Sequence, residues 1–132
     1  MEFPDDLRYT KDHEWVRVEG DRRVRVGVTD FAQDALGDVV YVDVPAVGTE
    51  VTAAQPFSEV ESTKSVSDVY APVGGTVTER NPLLEDRPEL VNEQPYGDGW
   101  IVVIETAAEP ELGEMMDAAA YRAFVDRQQQ DA

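Results

Sequence analysis

The chain contains no cysteine, one histidine and two lysines. Without cysteine there is no disulfide, no thiol nucleophile and no zinc–thiolate site. The single histidine, His13, cannot build a multi-histidine metal centre alone, and it leaves few nucleophile–base pairs. Ser, Thr and carboxylates are plentiful, but they form no convincing catalytic set. No apolar run approaches the ~20 residues of a membrane-spanning helix. The N-terminal MEFPDDLRY is acidic and lacks the apolar core of a secretory signal. The expected location is the cytoplasm.

Positive charge is scarce as well. Eleven Lys and Arg face 28 Asp and Glu, a net charge of −17. Such a field repels nucleic acid and anionic membranes, so neither is an expected partner. The acids occur on every segment instead of in one block. Dispersed acid, with arginine in place of lysine, is the pattern expected of a chain adapted to a salty, halophilic cytoplasm. The alternative is an acidic face for one basic partner. The salt reading has a direct consequence. Screening shortens the Debye length from about 10 Å at 0.1 M to about 3 Å at 1 M, so the melting temperature should climb from low to molar KCl. A flat or falling curve would assign the charge to a partner.

With 132 residues and 42% hydrophobic content, the chain is long enough for one domain, 1–132, with a real core. Valine-rich segments alternate with Gly/Pro turns. Strands are expected over 14–18, 23–28, 39–44, 50–52, 75–80 and 100–106, with a turn at Glu19-Gly20-Asp21. A short helix is expected over 30–36, with Asp30 as N-cap, Gln33 three residues on, and Gly37 as its stop. Helical turns are expected near Leu83-Leu84 and over 89–91, and a linker over 107–113. Met116, Ala120, Tyr121 and Phe124 suggest a C-terminal amphipathic helix over about 115–128 with a frayed end beyond. The sum is a mainly β barrel or sandwich with short helices and a C-terminal helix. The stretches over 37–51 and 66–77 echo one another. Each runs valine-rich strand, proline, glycine, short strand, a hint of two pseudo-equivalent halves.

The most informative residue is Lys64. It lies in FSEVESTKSVSDVYAPVGG, which reads as two short strands over about 57–70 with the lysine at the bend. A chain that uses nine arginines and only two lysines, and keeps one lysine on a turn, points to a need for an amine. Arginine holds its proton too tightly to be acylated, whereas a lysine amine can be deprotonated and modified. The plain alternative is a solvated surface lysine, common at turns. Lys11 is the control, an ordinary surface residue in an acidic, irregular lead segment.

Five stretches resemble the H-protein family of the glycine cleavage system. They are YTKDHEWV (9–16), GVTDFAQDALGDVVYVDVP (27–45), VESTKSVSDVYAPVGGT (60–76), PELVNEQPYGDGWI (88–101) and AAYRAFV (119–125). Together they run from about Leu7 to Phe124. Generic lipoyl domains share the hairpin but lack the HEW entry, the short helix and the PYG-x-GW segment. Biotin carriers flank their lysine with methionine, where this chain has Thr63 and Ser65.

The resemblance implies a barrel-sandwich hybrid of the lipoyl/biotinyl type with lipoate in amide linkage on Lys64. It implies a non-catalytic, monomeric carrier. Its partners would be a PLP-dependent glycine dehydrogenase (decarboxylating), a folate-dependent aminomethyltransferase, dihydrolipoyl dehydrogenase, and a lipoate ligase or lipoyl transferase. By the same resemblance, the modifying enzyme reads Glu61 and Gly75, and the loaded arm shelters in a cleft near Glu14 and Asp68. Some H proteins carry histidine where this chain has Ala35, so an arm contact from that position is missing here. On the residues alone, Glu14 would be an exposed acid and His13 a half-buried ring bonded to backbone. An H-like lipoyl relay in another pathway, or an unmodified binding module, are the competing readings.

Overall fold

The computed structural model describes residues 1–108, 112–113 and 115–131. Among these residues, nine strands and four helices follow one another. Strands β1 (Arg8–Tyr9), β2 (Glu14–Gly20) and β3 (Arg23–Val28) are followed by helix α1 (Asp30–Leu36). Next come β4 (Val39–Asp43), β5 (Glu50–Val51), β6 (Pro56–Ser62), β7 (Val66–Tyr70) and β8 (Gly75–Arg80). Helices α2 (Leu83–Asp86) and α3 (Leu90–Glu93) precede β9 (Val102–Glu105) and α4 (Ala118–Asp131).

Two antiparallel sheets result. The larger has the order β1-β2-β3-β9-β8-β5, and the smaller β4-β6-β7. Alternation sends one side chain in two toward the space between them, and valine fills it. Val24, Val26, Val42, Val60, Val69, Val77, Val102 and Ile104 are all buried in one core. Burial of such side chains contributes about 1.5–3 kcal/mol each. Within 100–106 the run Ile101 to Ile104 is buried at every position. β9 lies between β3 and β8 in the large sheet, and burial at successive positions means that both of its faces are covered.

The echo between 37–51 and 66–77 has a structural counterpart. β4 leaves the small sheet, passes Pro45 and Gly48, and enters the large sheet as β5. β7 leaves the small sheet, passes Pro72 and Gly74, and enters the large sheet as β8. β5 and β8 then pair with each other.

A second, aromatic cluster lies under α4. Phe3, Leu7, Tyr9, Trp15, Ala118, Tyr121 and Val125 form it. Tyr9 and Tyr121 stack with centroids 4.6 Å apart.

Several expectations shift. α1 is capped by Thr29, whose hydroxyl accepts from Ala32 N–H at 3.2 Å, and not by Asp30. Asp30 instead accepts from the Gln33 side chain at 2.8 Å. Gly37 does end the helix, at φ 82°. The β2–β3 turn falls at Asp21–Arg22, because β2 continues through Gly20. α4 begins at Ala118, later than 115, where the Asp117 carboxylate accepts from Ala120 N–H at 2.8 Å. It continues to Asp131 instead of fraying at 128. Its buried stripe is Ala118, Tyr121 and Val125, while Ala120 is exposed and Met116 precedes the helix. The irregular lead segment contains β1, which pairs with β2. Residues 109–111 of the expected linker, together with 114 and 132, lie outside the described residues. Among the described residues, no helix is long and apolar enough to cross a membrane.

Candidate functional site: a lysine turn beside an acid-walled cavity

Lys64 sits at the tip of the β6–β7 hairpin and is exposed. Its turn is fixed by a neighbouring serine. Ser62 N–H donates to Ser65 C=O at 2.8 Å. The Ser62 hydroxyl oxygen accepts from Lys64 N–H at 3.3 Å and Ser65 N–H at 3.1 Å. Side-chain bonding to a turn's own backbone is the ordinary use of serine there. Thr63 N–H donates to Asp38 C=O at 3.0 Å, which ties the tip to the residues after α1.

The lysine stem lies over Gly37. A Cβ at that position would come within 3.2 Å of Lys64 Cε. Asn92 on α3 holds this support in place. Its amide donates to Gly37 C=O at 2.9 Å and to Gln33 Oε1 at 3.0 Å, and its oxygen accepts from Val39 N–H at 2.8 Å. Sequence reasoning did not find Ser62, Gly37 or Asn92 in these roles. Ser62 was findable, since a serine two residues before a bend is a turn signal. Asn92 was not, because its partners are 53 to 59 residues away.

A cavity of about 260 Å³ opens beside the turn. Its wall runs along Ser65 to Val69 of the hairpin, then Phe31, Ala32, Ala35 and Leu36 of α1, and ends at Asp12, His13 and Glu14. A cavity of about 150 Å³ suffices for benzene, so a five-membered ring on a short chain has room. The structure therefore brings Glu14 and Asp68 to one cavity next to Lys64. Glu61 lies on β6, opposite Tyr41 and Val66. Gly75 is not in this group. It opens β8 in the large sheet, opposite Val51, and presses against β9.

Glu14 is not an exposed acid. Only 2% of its surface is accessible. Thr10 Oγ1 donates to its Oε1 at 2.6 Å, and Tyr70 N–H donates to its Oε2 at 3.1 Å. Tyr70 belongs to β7, the edge of the small sheet, so this carboxylate joins the two sheets. Burial pushes its pKa from 4.5 up to about 7, against the pull of the Thr10 and Tyr70 hydrogen bonds. Asp68 is different. It is exposed and alternates with buried Val69, which puts its carboxylate at the rim.

The Glu14 environment has a measurable consequence. The folded protein holds a proton here that the unfolded chain releases near pH 4.5. Stability from this group is thus complete below about 4.5 and is lost as pH rises through about 7. The full difference is roughly 3 kcal/mol. In Glu14→Gln the amide oxygen can accept from Tyr70 and its NH2 can donate to Thr10. Urea melts should show wild type losing stability relative to this variant between pH 5 and 8. Parallel curves would mean that Glu14 ionises without cost.

His13 is half-buried at φ 69° and bonds a side chain, not the backbone as expected. Its Nδ1 lies 2.7 Å from the Tyr121 hydroxyl, which is 2.7 Å from Thr29 Oγ1. Burial lowers the pKa of the ring, a bond to Gln128 opposes this, and the Tyr121 hydroxyl is pushed up by burial. A neutral imidazole accepting from Tyr121 is consistent with both. His13 thereby links the cavity wall to α4.

Two sheets closed over a valine core, with one lysine at the tip of a hairpin, define the lipoyl- and biotinyl-type carrier class. The sequence profile of the glycine cleavage H-protein family matches residues 7–128, and the chain belongs to that family. It is 54% identical over 126 residues to a glycine cleavage system H protein of Geobacillus thermodenitrificans, covering 96% of this chain and 98% of that one. It is 57% identical over 125 residues to one of Mycobacterium avium, covering 92% and 95%. The crystal structure of a glycine cleavage system H protein from Mycobacterium marinum superposes with a TM-score of 0.83. That pair is 38% identical, covering 96% of this chain and 99% of the other.

Proposed function

We infer that this chain is the lipoyl carrier of the glycine cleavage system, with lipoate in amide linkage on Lys64. The observation that carries the reading is the lysine turn itself, locked by Ser62 and opening onto the cavity that ends at Glu14. The residues fit the group. Lys64 offers an exposed amine, Phe31, Ala35 and Leu36 offer apolar wall, and Glu14 offers an acid at depth.

Held on Lys64, lipoate would supply a strained, readily opened disulfide as the acceptor for the one-carbon group of glycine. The chain's own contribution is placement and shelter. Ser62 and Asp38 hold the turn, so Lys64 projects at one end of the cavity. The α1 wall limits solvent access on one side of that cavity, which would protect a hydrolysable group docked there between partners. Glu14, a buried residue of the lining, can favour a cationic amine by a charge-assisted hydrogen bond. Its pKa of about 7 means that a nearby cation would draw it toward the ionised form. Position 35 offers only a methyl group to that cavity.

We read the chain as a monomeric carrier subunit that performs no turnover itself. Its partners would be the decarboxylating glycine dehydrogenase, the aminomethyltransferase, dihydrolipoyl dehydrogenase and the enzyme that attaches lipoate. A lipoyl relay in another pathway is separated from this by one assay. The test is expression with lipoate, intact mass, and then glycine-dependent bicarbonate exchange with the decarboxylating enzyme. One lipoyl group and carrier-dependent exchange are expected. A lipoylated chain that supports no exchange would favour the relay, and an unmodified Lys64 would end both readings.

A further inference from the structure

The small sheet buries one face against the core, and the other is open. Near the lysine turn that open face carries apolar side chains on either side of Glu61. Val40 and Tyr41 on β4 are 52% and 53% exposed, and Val66 on β7 is 59% exposed. Tyr41, Glu61 and Val66 are directly opposite one another in the ladder, so they form one row across all three strands. Val66 is two residues from Lys64. Two residues further along each strand, about 6–7 Å away, the next row on the same face is Asp43, Glu59 and Asp68. All three are exposed, and their neighbours Val42, Val60 and Val69 are buried beneath.

The second row is unusual energetically. Like charges directly opposite on neighbouring strands destabilise a sheet, and here three acids share one rung. Among the described residues, none of the three lies within ion-pair distance of a cation. Among the described residues, neither hydrophobic cluster includes Tyr41 or Val66. Tyr41 and Val66 flank Glu61 in the row beside the lysine, and that row, backed by an uncompensated acidic one, is complementary to one kind of surface. That surface has an apolar centre with Arg or Lys along one side.

We propose that this open face of β4-β6-β7 is the docking surface for the enzyme that acylates Lys64, and that this enzyme meets it with an apolar patch and a row of basic side chains. The inference rests on Lys64 being the modified residue. An enzyme that brings Lys64 into its active site must cover the strands that end at that turn. Tyr41 and Val66 then supply desolvated contact, and Asp43, Glu59 and Asp68 fix the direction of approach. Charge at the edge of an interface acts mainly on encounter and orientation. It should therefore govern the affinity for the carrier and not the rate of the bound complex.

The test uses the intact, unmodified chain as substrate for a lipoate–protein ligase with ATP and lipoate, at varied carrier concentration. The variant Asp43→Asn/Glu59→Gln should raise the KM for the carrier roughly fivefold, about 1 kcal/mol from two surface contacts, with kcat unchanged. Tyr41→Ser should also raise KM. A control, Asp86→Asn/Asp126→Asn, removes the same charge elsewhere and should leave KM near wild type. The Asp43→Asn/Glu59→Gln chain should melt no lower than wild type, since it relieves an in-register repulsion. A KM shift equal to the control's, or a loss in kcat alone, would overturn the inference. A wild type that accepts no lipoyl group would overturn the reading of Lys64 and this inference with it.

Discussion

Lys64→Arg should fold as wild type does and accept no lipoyl group at all. The side chain is exposed, and the turn is held by backbone and Ser62 contacts that do not involve its amine. An arginine stem can lie over Gly37 as the lysine stem does. Surface changes of this kind stay within about 0.5 kcal/mol, so the melting temperature should barely move. The chemistry is another matter. Amide formation needs a neutral amine, and a guanidinium with a pKa above about 12 does not supply one. The charge survives and the nucleophile is lost. Intact mass should show no adduct after expression with lipoate, and glycine–bicarbonate exchange should fall to the rate without carrier. Lys11, the other lysine, is the internal control. An adduct there, or exchange surviving in the variant, would remove Lys64 from the site.

The second large effect is expected at Gly75, for a reason unconnected with recognition. A Cβ on Gly75 would overlap the Glu105 carbonyl and sit 2.9 Å from Ile104 Cγ2. Both belong to β9, the buried centre of the large sheet. Backbone cannot swing aside as a side chain can. Gly75→Ala should therefore cost about 3 kcal/mol, or a fall of order 10 °C in Tm for a chain of this size. Gly74 next door is the comparison. A Cβ there meets nothing nearer than 3.6 Å, and Gly74→Ala should lie within about 0.5 kcal/mol of wild type. Equal melts, with slower lipoylation of Gly75→Ala alone, would return Gly75 to the role of a residue that the modifying enzyme reads.

Local patterns carried much of the architecture. Alternation placed β3, β4, β6, β7 and β8 to within a residue or two, since each has one buried and one open face. The helix stop at Gly37 followed from glycine's tolerance of positive φ. The failures share a different cause. Thr29 displaced Asp30 as the cap because the first turn is set by where β3 delivers the chain. β1 is two residues long and is held by distant partners, β2 on one side and Met116 on the other. Glu14 read as an exposed acid because glutamate is rarely buried. Its burial depends on Thr10 and on Tyr70, 56 residues away, which no local window contains. The lysine was legible as a residue with an acylatable amine on a turn. The cavity beside it was not, because its walls come from three separate stretches of chain.

The edge position of β7 has a cost in solution. An edge strand offers unpaired backbone to any other edge. Here one end is occupied, since Tyr70 N–H is already held by Glu14. The strand is only five residues long and carries exposed Asp68. Beyond that, what keeps two copies from pairing along this edge is mutual repulsion between chains of net charge −17. Salt screens that repulsion as effectively as it screens repulsion within one chain. A salt concentration that tightens the individual fold would thus also lower the barrier to self-association along β7.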